Sequence, residues 1–233
     1  MSTSALVQSS TPRDRVPLWL KLGYTAFVAV LVPCYWKLYG PTNFLYFCDL
    51  SLFFTLAAVW TEKPIFASMP AVGILLPQAL WMVDFMLQLV HLPGPGLTAY
   101  MFDAQKPLFT RGLSFFHFWL PILLVYLVWK LGYDRRAFLG WTVLAIVLVF
   151  ICYFLLPAPP APVDRPNLPV NVNYVYGLSD EKQQAWMNPH LYFLLLLVVL
   201  PVGIYLPTHL VLKKLFSKPG TRALPAVRPE AAA

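Results

Sequence analysis

The chain has 233 residues, of which 59% are hydrophobic and only 12% charged, and its formal net charge is +7. With a mean hydropathy of +0.64, these values exclude a disordered protein, a nucleic-acid-binding tail and a water-soluble enzyme of this length. Surface-to-volume scaling would leave too much apolar area outside a core of this size, so the solvent is lipid.

Residues 1–17 are polar, carry Arg13 and Arg15, and read as a cytoplasmic N-terminal segment. A crossing helix needs roughly 20 apolar residues. Six segments come close to or reach that length: 18–38, 43–60, 65–90, 113–131, 137–156 and 189–212. The first lacks a small-residue cleavage site and reads as a retained anchor. The third carries Pro70 and Pro77, which predict a tilt or kink. The runs are continuous rather than alternating, which favours helices over a barrel. The fold class predicted is therefore all-α: a polytopic integral membrane protein with six transmembrane helices in one bundle over residues 18–215. The Pro- and Ala-rich tail, 216–233, reads as a disordered cytoplasmic segment. No internal repeat and no lipidation motif is evident.

Lys and Arg set the orientation. Twelve of the 17 fall on the side that holds both termini and the connections 61–64 and 132–136. That side is expected to be cytoplasmic, and the positive charge to be a topology signal in contact with anionic headgroups, not a nucleic-acid footprint. The long connections 91–112 and 157–188 then face outward. The second of these opens with a Pro-rich run over 157–169, which is extended and polyproline-like. It continues Val170-Asn171-Val172-Asn173-Tyr174-Val175-Tyr176-Gly177, a stretch expected to fold back over the outer face.

Polar residues inside crossings are costly and become functional candidates. Counting 1.5 Å per residue from the outer ends places Cys48 and Asp49 roughly 8–9 Å deep, Asp84 about 9 Å deep, and His117 about 6 Å deep. Gln88 is shallower, and Asn43 and His190 open their segments. Three helices thus bring Cys48, Asp49, Asp84 and His117 to one outer-leaflet depth. Cys48, Ser51 and Thr55 share a helical face, as do Asp84 and Gln88. Two carboxylates at this depth need a protonated member or positive charge from His117 or Arg111.

A thiol attacks as thiolate, a histidine can take its proton, and a carboxylate can orient the imidazole. Cys48, His117 and Asp84 or Asp49 supply these groups. Asn173 and Tyr174, or backbone N–H groups beside them, could donate to an oxyanion. A site open to the outer leaflet suits an acyl lipid, and the chemistry is acyl transfer or ester hydrolysis. Buried cysteines are more often simple apolar residues, and a disulfide among Cys34, Cys48 and Cys152 stays open. No CxxC, HExxH or CxxCH motif is present, so no metal and no cofactor is expected. The competing reading is a non-enzymatic protein that binds a lipid, a partner or a small solute, its polar residues being structural. A transporter would need a polar cytoplasmic half, which the sequence does not offer.

The stretch Asn43-Phe44-Leu45-Tyr46-Phe47-Cys48-Asp49-Leu50-Ser51 resembles an uncharacterised family of bacterial multi-pass membrane-associated proteins, and more distantly the YwaF-type integral membrane proteins. Their pattern of Leu-Cys-Asp, a later His and an outer Asn-Tyr is matched in order by Cys48-Asp49, by His117 within Ser114-Phe115-Phe116-His117-Phe118, and by Asn173-Tyr174. The superfamily is similar to transmembrane Cys/His acyltransferases and to Thr/His fatty-acid-ester hydrolases. The resemblance implies Cys48 as nucleophile, His117 as its partner, and residence in a bacterial inner (plasma) membrane. The Pro-rich insert 158–169 departs from the family pattern.

Overall fold

The computed structural model describes residues 16–216. The expected cytoplasmic N-terminal segment, apart from Val16 and Pro17, and the expected disordered tail after Phe216 lie outside the described residues. Among the described residues all regular structure is helical. Five helices are long and apolar enough to cross a membrane: Leu18–Tyr39, Pro64–Leu89, Leu108–Leu131, Ala137–Leu155 and Pro189–Phe216. Large apolar side chains such as Leu139, Phe154, Leu155 and Val198 point outward, a surface that only hydrocarbon solvates well. The chain is an all-α polytopic integral membrane protein.

Helix α1 (Leu18–Tyr39) stops at Gly40, whose φ of 82° is a left-handed value that a side chain would resist. A 3₁₀ turn, Pro41–Leu45, follows. Helix α2 (Phe47–Thr61) therefore starts four residues later than the second expected crossing. Its 15 residues span about 22 Å, less than the roughly 30 Å hydrocarbon core. It lies antiparallel to α1 along that helix's length. Glu62, just past its end, bonds Lys21 in the first turn of α1 at 2.6 Å. Further along, Trp60 donates to Thr25 at 2.9 Å and Tyr24 donates to the Leu52 carbonyl at 3.0 Å.

Helix α3 (Pro64–Leu89) is central and packs against α2 and against the helices at Phe116–Leu131, Ala137–Leu155 and Leu206–Phe216. Pro70 and Pro77 both lie inside it, each freeing the carbonyl four residues earlier. A short α4 (Ala99–Phe102) leads to α5 (Leu108–Ser114) and α6 (Phe116–Leu131). The fourth expected crossing thus begins at Leu108, five residues early, and is broken at Phe115. Helix α7 (Ala137–Leu155) places the Trp141 ring directly against Gly73, where any Cβ would lie 1.9 Å from the indole.

The last crossing is continuous but irregular: α8 (Pro189–Val199), a π-helical segment Leu200–Tyr205, then α9 (Leu206–Phe216). Pro201 lacks the N–H a regular turn needs, which favours the wider turn. A straight α-helical stripe from Phe193 through Leu197 and Leu200 would continue through Val211 and Leu215. Both are more than half exposed, whereas Tyr205 and Leu212 are buried. The buried stripe has moved by one residue across the π segment.

Candidate functional site

The site lies at the end of the bundle that carries the long loops. Cys48 and Asp49 occupy the first turn of α2, where the helix has no side-chain cap of its own. The cap comes from far along the chain. The Phe47 N–H donates to Asn173 Oδ1 at 2.9 Å, and Asn173 Nδ2 donates to the Leu45 carbonyl at 2.9 Å. A second Asn173 N–H faces Cys152 Sγ at 3.5 Å. Tyr46 donates to the Val170 carbonyl, so residues 170–177 fold back over this end of the bundle, as the sequence predicts. The loop can do so because Asn171, Asn173 and Tyr174 all take left-handed φ values. Asn171 then brackets it, accepting from Tyr176 N and donating to the Gly177 and Ser179 carbonyls.

Asn173 is thereby spent on the backbone, and this corrects its expected role as an oxyanion donor: it positions the start of α2 instead. Tyr174 lies close by, within electrostatic reach of Cys48.

Asp49 is only 4% exposed. Its Oδ2 accepts from Asn43 Nδ2 at 3.2 Å and from the Cys48 thiol at 3.9 Å. Among the described residues its Oδ1 has no partner. Among the described residues no cation pairs with Asp49, which removes charge supplied by His117 and Arg111 and leaves the other expected arrangement, a protonated member. Arg111 instead donates to the Met101 carbonyl at 3.1 Å, and His117 Nδ1 sits 2.8 Å from the Ser114 carbonyl.

That last contact assigns the histidine tautomer. A carbonyl only accepts, so Nδ1 carries the hydrogen and Nε2 the lone pair. Among the described residues Nε2 makes no hydrogen bond. The ring is held between Trp81, stacked at 5.2 Å between centroids, and Phe116 at 4.1 Å. Ser114 is fixed in turn by the Tyr35 hydroxyl at 2.7 Å. Trp81 is buried, and its Nε1 lies near the Tyr100 hydroxyl but outside hydrogen-bond geometry, leaving the N–H unpartnered. Tyr100 stands within electrostatic reach of both Cys48 and Asp49. Burial pushes its hydroxyl far above the ordinary range, so it stays a neutral hydrogen-bond donor and acceptor.

Asn43, Cys48 and Asp49 therefore form one hydrogen-bonded group, and His117 belongs to a second, held by Ser114 and Tyr35 and stacked on Trp81. Other candidates do not join them. Asp84 was expected to orient His117, yet its carboxylate is saturated by the loop above α3. It accepts from Thr98 N and Oγ1, both at 2.7 Å, from Gly96 N at 3.0 Å, and from Gln88 Nε2 at 2.9 Å. Asp84 and Gln88 are a loop clamp. His190 is exposed and pairs with the Tyr153 hydroxyl at 3.0 Å. Ser51 and Thr55 turn their hydroxyls back onto the carbonyls of Phe47 and Ser51 within α2 and line nothing. Cys48 and His117 share no hydrogen bond among the described residues. All three cysteines are free, and no group of three or more potential metal ligands occurs among the described residues.

Sequence reasoning missed Trp81, Tyr100 and Tyr35. Trp81 lies one helical turn before Asp84, so spacing could have placed it near that carboxylate. Nothing in the sequence tells an indole that faces a site from one that faces lipid. No family model matches the chain, and neither a curated protein nor a solved structure matches it.

Proposed function

We propose that the polar interior around Asp49 is the substrate site of a lipid-active acyl-transfer enzyme or lipid ester hydrolase. In this reading the chain crosses a bacterial inner membrane six times with both termini in the cytoplasm, and the site lies in the outer leaflet. The observation that carries it is the oriented imidazole of His117, whose Nε2 lone pair meets no partner among the described residues. A histidine that only joined helices would use both nitrogens or present neither.

The Cys48 thiol gives its proton to His117 Nε2 as sulfur bonds to the acyl carbonyl carbon. The ester C–O bond breaks, and the departing alcohol takes the proton from the imidazolium. Water or a second alcohol then attacks the thioester, its proton passing through Nε2 back to the sulfur.

The test is labelling of the purified protein with an acyl-donating lipid probe. Wild type is expected to carry the label on Cys48. Cys48→Ala should remove it and His117→Ala should slow it by at least about 100-fold, the usual scale of a lost general base. Equal labelling of wild type and Cys48→Ala overturns the proposal.

A second reading rests on a specific contact: the thiol points at Asp49 and not at His117. A non-enzymatic lipid- or solute-binding pocket would show this arrangement with Cys48 as a neutral donor. It predicts full function in Cys48→Ser, which the enzyme reading does not.

A further inference from the structure

The end of the bundle opposite the long loops holds two cations whose charge nothing answers. The acidic residues at this end are Glu62 and Asp134, and each meets a base: Glu62 bonds Lys21 at 2.6 Å and Asp134 bonds Arg136 at 2.7 Å. Arg135 and Lys213 are both exposed. Neither forms an ion pair among the described residues.

The fold brings these two side chains together from different elements. Lys213 lies one turn after His209 on α9. The His209 ring packs on Phe138 at 5.1 Å between centroids, and its Nδ1 meets the Tyr133 hydroxyl at 2.7 Å. Tyr133 N donates to the Phe216 carbonyl at 3.3 Å, and Asp134 N donates to Ser68 Oγ at 3.0 Å. The connection 132–136 is therefore pinned to α9 on one side and to α3 on the other. Arg135 belongs to that connection, and both Arg135 and Lys213 are within electrostatic reach of the His209 ring.

Like charges held near one another by a pinned backbone repel. Lys213 is partly compensated, because it lies in the last turn of α9, where the helix dipole favours a cation. Arg135 gains nothing of that kind. It precedes the first turn of α7, where the dipole disfavours a cation and no acidic residue is present. An anion lying between the two side chains removes both costs. Leu139, in the first turn of α7, and Leu210, beside His209, are exposed apolar neighbours. They suit an anion that brings acyl chains with it.

We propose that Arg135 and Lys213 form a seat for the phosphate of an anionic phospholipid, whose acyl chains lie against Leu139 and Leu210. The guanidinium fork takes two phosphate oxygens and the ammonium acts as a point charge. A zwitterionic headgroup brings its own ammonium to the same two cations and is disfavoured. The seat lies at the other end of the bundle from Cys48 and Asp49 and owes nothing to the chemistry proposed there.

The full chain in detergent is titrated with phosphatidylglycerol and with phosphatidylcholine of the same acyl chains, and bound lipid is counted by native mass spectrometry. Wild type is expected to prefer phosphatidylglycerol by at least about tenfold, and Arg135→Gln and Lys213→Gln should each lower that preference about fivefold, the scale of one basic contact at a membrane surface. Lys213→Arg should keep it. Lys130→Gln removes the same charge from the last turn of α6, where Lys130 lies over the Tyr126 ring, and should leave the preference unchanged. Glycerol 3-phosphate, added in excess, should not displace the lipid.

Equal binding of the two lipids by wild type overturns the proposal, and so does a preference that survives in the Arg135→Gln, Lys213→Gln double variant. A loss in Lys130→Gln as large as in Arg135→Gln would assign the preference to total charge and overturn the seat. Displacement by glycerol 3-phosphate would make the ligand a soluble phosphate and overturn the lipid.

Discussion

Asn173 shows how one side chain can organise a site without facing the substrate. Its amide caps the Phe47 N–H and the Leu45 carbonyl, immediately before Cys48. Asn173→Ala should leave both groups unpaired at a buried position and cost about 1–3 kcal/mol. The measurement is a thermal or denaturant midpoint in detergent, where Asn173→Asp should fall between wild type and Ala because it keeps only the acceptor. An unchanged midpoint in Asn173→Ala would remove it as a structural latch. At this scale the sequence was partly legible. Cys48, Asp49 and Asn43 stand together as their short separation predicts, since local spacing survives folding. Asp84 did not take its expected part. Scarcity of charge made it conspicuous, but only the fold shows that Thr98, Gly96 and Gln88 consume its lone pairs.

Among the elements, the contact between α3 and α7 is the tightest fit. Gly73 is the only residue type its position accepts without movement, because a Cβ would lie 1.9 Å from Trp141. Gly73→Ala should therefore destabilise the bundle by about 1–3 kcal/mol through overpacking. Adding Trp141→Leu should recover part of that loss, a coupling that a double-mutant cycle in unfolding experiments would measure. If the two effects simply add, the contact does not hold the helices in register.

Helix existence was readable from hydrophobic runs, because a 20-residue apolar stretch has few alternatives in lipid. Helix starts were not. The helix at the second expected crossing starts at Phe47 because Pro41–Leu45 closes into a 3₁₀ turn, and that at the fourth begins at Leu108 because α5 continues the stack past a break at Phe115. Both shifts undo the depth count that first grouped the polar residues. Long-range contacts that bear on the site come from Tyr35, on Ser114, and from Asn173, on the start of α2.

For the molecule as a whole, orientation rests on where the Lys and Arg residues fall. Single cysteines introduced into a variant lacking Cys34, Cys48 and Cys152 would test it in intact cells. A cysteine replacing Arg136, fully solvated beside Asp134, is expected to react with an impermeant maleimide only after lysis. One replacing Lys106 should react before it. The reverse pattern would turn the site toward the cytoplasm and exclude an outer-leaflet substrate.

The chain closes at its other end through the last crossing, where the Phe216 carbonyl accepts from Tyr133 N and His209 Nδ1 meets the Tyr133 hydroxyl at 2.7 Å. That closure depends on angular phase. One extra residue at 200–205 rotates everything after it by about 100° relative to an unbroken α-helix. Straightening the segment with every residue kept would swing His209 and Leu212 off the bundle and present Val211 and Leu215 in their place. Removing a single residue together with the wide turn would instead leave an unbroken α-helix with His209 and Leu212 still facing the bundle. In this crossing the residue count and the width of the turn are matched to each other.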